Sequence, residues 1–233
     1  MINYYIKIAF RNFKKYRSYF FISLFGLSVG LAVSIMLLLY VQNEFSYDRY
    51  NENADNIYRL IQSDEVFHSP QTAKILADGI PEIEDYGRLL VTWGKILEYG
   101  EHKFKETDVI YADPSIFRIF SFNFISGDPL TALNDPYTMV ISQRIAKKYF
   151  GTENPIGKVI EIDNEAEYTI TGVIENMPEN SHFHYDIFLS LSGERELFGD
   201  FATNWGWQNF LIYFVMHDGF SEDEVTRKAV DLI

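Results

Sequence analysis

Apolar and polar positions divide the chain into three stretches with different periods. From Ser18 to Asn43 no residue is charged. As a helix, those 26 residues would extend about 39 Å, more than a bilayer's hydrocarbon core requires. Upstream, "NYYIKIAFRNFKKY" (3–16) places Lys7, Arg11, Lys14 and Lys15 at i, i+4, i+7, i+8, with Ile6, Phe10 and Phe13 on another side. That period predicts an amphipathic helix with its basic face among lipid headgroups. A plain cytoplasmic continuation of the span, flanked by positive charge, fits the same residues. Inside the uncharged run, "FGLSVGLAVS" sets Gly26, Gly30 and Ser34 on one helical face, small residues that let another helix approach closely.

Beyond residue 44 short strand and helix patterns alternate. Strands are predicted at 56–63, 86–100, 102–113, 137–142, 184–191 and 209–216, and the segments 158–163 and 167–175 alternate as a hairpin. Helices are predicted at 69–80, with Ser69 as N-cap and Pro70 at the first position, at 114–120, and at 143–150 between Ser142 as cap and Gly151 as stop. A last helix opens with the capping box Ser221 to Glu224 and carries Val225, Ala229, Leu232 and Ile233 on one face. That face is still running at Ile233, which favours a fragment cut within or just after a helix. The mixture is α+β.

Charge sharpens this picture. The formal net charge is −13 over 233 residues. All five basic residues of the first 18 precede the span, whereas the remaining 15 basic and all 33 acidic residues lie from Glu44 onward, a net −18. By the positive-inside rule the N-terminus is cytoplasmic and residues 44–233 lie outside the inner membrane. An acidic body argues against nucleic acid as its partner, and the basic head points to membrane lipid. A cleaved signal peptide is the competing reading, but its apolar region would run about 7–15 residues and end at a small-residue site. "LLLYVQNEFSYD" offers none. With no cysteine in the chain, disulfides, thiolate metal sites and cysteine nucleophiles are excluded.

Catalytic patterns are poor. The chain has no P-loop, no G-x-S-x-G, no H-E-x-x-H and no dinucleotide fingerprint. In "NSHFHYD" (180–186), His182, His184 and Asp186 would share a strand face and could ligate a metal. The plainer reading gives them local hydrogen bonds. Trp93, Trp205 and Trp207 could line a groove, or anchor a core or interface. Nothing in these patterns demands a cofactor.

Several segments together resemble the MacB-like (FtsX-like) ABC transporter permease subunits, in a form common in Bacteroidetes. They are "IAFRNFKKYRSYFFISLFGLSVGLAVSIMLLLYVQNEFSYDRYNENADNIYRL", "VISQRIAKKYFGTENPIGKVIEID" and "YTITGVIENMPENSHFHYDIFLS". Phe150, Gly151, Pro155, Ile156, Gly157 and Lys158, followed by Thr171 to Val173, are the most specific part. The resemblance implies one span leading into a two-lobed periplasmic core domain, a porter-like lobe near 50–98 and 186–233 with a strand-rich lobe inserted near 99–185. It implies a non-catalytic subunit that couples a separate cytoplasmic ABC ATPase to movements of that domain. Further permease spans or a second permease copy, and a periplasmic adaptor, are its expected partners. MacB carries its ATPase ahead of the first span; only 17 residues stand there in this chain, so the ATPase is expected on another chain. "NSHF" recurs in the family as part of the fold, which weakens the metal reading. A single-span extracytoplasmic binding or sensor module is the alternative. No residue pattern selects a substrate.

Overall fold

The computed structural model of the chain describes residues 4, 11 and 15–233, apart from the side chains at 194 and 202. Lys7 and Lys14, and with them most of the amphipathic helix predicted at 3–16, lie outside the described residues. The chain divides into two units, the first ending at Tyr47 and the second running from Asp48 to Ile233.

The first unit contains helix α1, Arg17–Glu44, with no buried residue along its 28 positions. At 1.5 Å per residue it is about 42 Å long. Its length and apolar composition suit it to cross a membrane, where its leucines and phenylalanines would face hydrocarbon instead of water. Two of its serines bond back onto the helix: Ser28 Oγ donates to Leu24 O (2.8 Å) and Ser34 Oγ to Gly30 O (2.9 Å). Their polar atoms are thus satisfied without leaving the helix.

The second unit is built on a mixed sheet. Its strands are β1 (Ile57–Arg59), β2 (Ile83–Val91), β3 (Lys95–Tyr99), β4 (His102–Glu106), β5 (Val109–Ala112), β6 (Phe124–Ser126), β7 (Thr138–Ser142), β8 (Val159–Ile162), β9 (Ala166–Ile174), β10 (Ile187–Ser190) and β11 (Phe210–Met216). The order is β1-β11-β2-β5-β10-β7-β9-β8-β3-β4, with β6 paired to β9. Among the described residues, β5–β10 and β7–β9 are the parallel pairs and the others run antiparallel. Strands from both ranges predicted for separate lobes share this sheet, since β5 lies between β2 and β10.

Both faces of the sheet are covered. On one, α2 (Thr72–Gly79), α4 (Gln143–Phe150) and α6 (Glu222–Leu232) contribute Leu76, Ile145, Tyr149 and Val225 to a core with Phe210, Ile212 and Phe214 of β11. On the other, α3 (Ile116–Ile119) and the residues after it supply Phe117 and Phe120 against Phe188, Ile110 and Tyr213. The period of two is therefore kept, Ile187 and Leu189 facing one core and Phe188 the other. With both cores apolar, β5 and β10 are buried at every position, as strands covered on both faces must be. A short helix, α5 (Glu194–Phe198), follows β10.

Local signals located most elements and misplaced some ends. Ser142 caps α4 as predicted, its Oγ accepting from Ile145 N at 3.3 Å, and Gly151 ends the helix at φ +63°, a conformation glycine adopts without steric cost. Ser69 does not cap α2. Residues 69–71 form a turn, closed by Thr72 N donating to Ser69 O (3.2 Å), and the helix begins at Thr72. The buried Ser69 hydroxyl has no hydrogen-bond partner among the described residues. The capping box at Ser221 is not made either: α6 has no side-chain cap bond, and Glu224 pairs forward with Lys228 at 3.0 Å. The long strands predicted at 86–100 and 102–113 are each broken in two, at Gly94 and at Thr107–Asp108. Gly94 has φ +88°, and a Cβ there would stand 2.8 Å from Glu106 O.

Candidate functional site

The residues that follow the span's unit, 48–56, cross the sheet domain as a strap held by polar contacts. Asp48 is in the left-handed region at φ +58°, which aspartate tolerates better than most residues. There its backbone N–H donates to Asn180 O (2.9 Å). Its carboxylate Oδ1 accepts from the backbone N–H of His182 (3.0 Å) and from the ring Nδ1 (2.8 Å). A carboxylate only accepts, so Nδ1 carries the hydrogen; in the neutral ring Nε2 then accepts from Tyr213 Oη, 2.8 Å away. Tyr213 is buried in the middle of β11. Burial pushes its phenol well above the ordinary range, against the opposing pull of Arg59, so it stays protonated and able to donate.

Further ties flank this chain. Tyr50 Oη lies 3.0 Å from Ser181 Oγ, and burial raises the Tyr50 pKa although the Ser181 bond opposes it. The buried Asn51 donates through Nδ2 to Asp48 O (3.0 Å) and accepts through Oδ1 from Ser121 N (3.0 Å). Ser121 Oγ accepts from Glu52 N at 2.8 Å. Asn56 Nδ2 donates to Asp218 Oδ1 at 2.9 Å. A cavity of about 430 Å³ lies beside the strap, walled by Asp48, Asn51, Ala54, Phe120, His182 and Tyr213 among others. Around this cavity Asp48, Asn51, Arg59, His182 and Tyr213 offer hydrogen bonds and charges of both signs, an arrangement suited to holding a segment in place.

The three residues read as a metal set lie apart in their bonding. Residues 182–186 precede β10 instead of alternating along it. His182 uses both ring nitrogens on Asp48 and Tyr213. Asp186 is ion-paired with Arg144, which also reaches Asp108 at 3.2 Å. His184 lines a separate polar cavity with Arg144, Asn176 and Asp186. Among the described residues no group of three His, Cys, Asp or Glu gathers as metal ligands would. Of the tryptophans, Trp207 packs edge-on to Phe210 at 5.2 Å while Trp93 is 98% exposed. Among the described residues, nothing lies within 4 Å of where a Cβ would stand at Gly26 or Gly30. Arg11 and Lys15, from the basic head, are exposed.

Sequence reasoning gives His182 local hydrogen bonds as its plainer role, which is where the structure places it, but does not name its partners Asp48 and Tyr213. No local pattern pairs residues 134 positions apart. The available clue was indirect: a carboxylate in "FSYDRYN", the first polar cluster after a span, stands where a chain must attach to its domain.

Comparisons with known proteins place this geometry. A domain described as part of a permease protein from Porphyromonas gingivalis is similar at 22% identity and TM-score 0.67, covering 78% of this chain and 84% of that one. The periplasmic region of MacB from Actinobacillus actinomycetemcomitans is similar at 16% identity and TM-score 0.56, covering 76% and 80%. The extracellular domain of the noncanonic ABC-type transporter YknZ from Gram-positive bacteria gives 13% identity and TM-score 0.50, covering 74% and 86%. At these identities the likeness establishes the fold. No curated protein matches the sequence. The profile of the MacB-like periplasmic core domain, however, matches residues 20–232, and the chain accordingly belongs to the family of MacB-like periplasmic core domains.

Proposed function

We propose that this chain is the N-terminal part of an ABC transporter permease subunit that couples a separate cytoplasmic ATPase to movements of its periplasmic domain. The observation that carries the reading is the extent of the family match. It starts at residue 20, inside α1, and runs to residue 232, so span and sheet domain belong to one family unit. The N-terminus is cytoplasmic in this reading, with Lys7, Arg11, Lys14 and Lys15 at the inner-membrane surface on the ATPase side. Movement passes through α1 into the strap, whose bonds to Asn180, His182 and Ser121 give it purchase on the sheet. The porter-like lobe near 50–98 and 186–233 and the inserted lobe near 99–185 remain part of the proposal. Because β5 lies between β2 and β10, relative motion of the two would have to bend a sheet they share. Gly26, Gly30 and Ser34 would face further permease spans or a second copy, and an adaptor would join on the periplasmic side.

The test uses the complete permease with its ATPase in lipid nanodiscs. Spectroscopic distances between labels in α1 and on the sheet domain should change between nucleotide-free and ATP-bound assemblies; unchanged distances would sink mechanical coupling. Gly30→Leu should reduce recovery of the assembled complex while leaving the sheet domain folded, and full recovery would remove the packing role.

A further inference from the structure

The strap and the sheet are fixed by different means. Among the described residues none from 48 to 56 belongs to either apolar core. Its attachment is polar, and beside it lies a cavity instead of packed side chains. Such a segment has the features of a unit that opens locally at low free energy: few apolar contacts and exposed hydrogen bonds. Its keeper is packed against aromatic rings by contrast. The His182 ring sits against Phe183 (centroids 4.4 Å) and Phe120 (6.0 Å), and Tyr213 is held in β11 with registered partners on both sides.

We propose that Asp48, His182 and Tyr213 form a latch. Closed, it locks residues 48–56 onto β11 through the imidazole; open, it releases them together while the sheet stays folded. Asp48 is the moving bolt, since one carboxylate oxygen receives both His182 hydrogens and its backbone holds a left-handed turn. His182 is a positioning residue that carries the attachment from the loop at 180–182 to the middle of the sheet. The latch deepens the coupling reading and rests on it for its use, but its existence is tested without the ATPase.

The experiment is hydrogen–deuterium exchange on the full chain in detergent micelles. Asp48→Ala should speed exchange of 48–56 and 180–182 at least tenfold and leave β7, β10 and β11 unchanged. An Asn amide overlays the Nδ1 side of imidazole and still reaches Asp48, whereas a Gln amide overlays the Nε2 side. His182→Gln should therefore open the strap more than His182→Asn. Unchanged exchange at 48–56 in Asp48→Ala overturns the latch, as does an equal rise throughout the sheet, which would make the strap part of the core. Equal rises in the two His182 variants remove His182 from it. If the latch behaves as proposed while nucleotide leaves the domain unmoved, only the coupling reading fails.

Discussion

The sheet and the strap belong to one unit of the chain, yet they answer to opposite rules. The sheet is held by burial: Phe188, Ile110 and Phe210 are all fully enclosed, and each enclosed side chain contributes about 1.5–3 kcal/mol. The strap is held by hydrogen bonds in partly exposed surroundings, each worth about 0.5–1.5 kcal/mol net. A domain meant to move as a body needs the first kind of cohesion. A segment meant to attach and release needs the second, because a few polar contacts can be exchanged for water at small cost.

This contrast can be broken at either end. The largest effect is expected in the core: Phe188→Ala would empty a site packed between Phe117 (5.4 Å) and Phe122 (5.3 Å). It should cost about 3–5 kcal/mol, lowering the urea midpoint of the detergent-solubilised chain. A loss below 1 kcal/mol would mean that burial does not hold the sheet. Next comes Asp113→Ala. Asp113 pairs in fork geometry with Arg88, at 2.8 and 2.9 Å, with both side chains largely buried. Removing the carboxylate takes the two fork hydrogen bonds and their charge from a largely buried guanidinium, at about 3 kcal/mol; the urea midpoint again reports it.

The strap should respond more weakly and more locally. Asn51→Ala removes the acceptor for Ser121 N and should lower the opening free energy of 48–56 by about 1–2 kcal/mol. Exchange there should accelerate while the urea midpoint barely moves. A midpoint shift as large as that of Phe188→Ala would erase the distinction between the two regions.

The smallest effect is one of pH. His68 is buried, and burial lowers its pKa against the opposing Leu60 carbonyl and Glu65. Its folded pKa lies below the unfolded value of about 6.5, so the unfolded chain takes up the proton first as pH falls. Stability is therefore full above that value and declines as pH drops below it toward the folded pKa. His68→Gln should show a shallower loss of stability between pH 7 and pH 5 than the unaltered chain; identical slopes would clear His68 of the effect.

What the sequence determined by itself is what short-range physics encodes. The uncharged run, the Ser142 and Gly151 boundaries of α4 and the β8–β9 alternation each depend on neighbours within a few positions, and they stand where they were expected. The family was legible too, in the order of its motifs from α1 to β10. The two missed helix caps have one cause. Whether Ser69 or Ser221 caps a helix depends on where the backbone turns before it, and tertiary packing set those turns. The site lay further out of reach. His182 sits in a string of polar residues where the pattern favours local hydrogen bonds over a metal but names no partner. Only the folding of β11 beside β2, and the return of the chain at 48 to the loop at 180, gave it Asp48 on one nitrogen and Tyr213 on the other. Local sequence fixes what a side chain can bond to. Its partner is chosen by the path of the whole chain, which closes contacts more than a hundred residues apart.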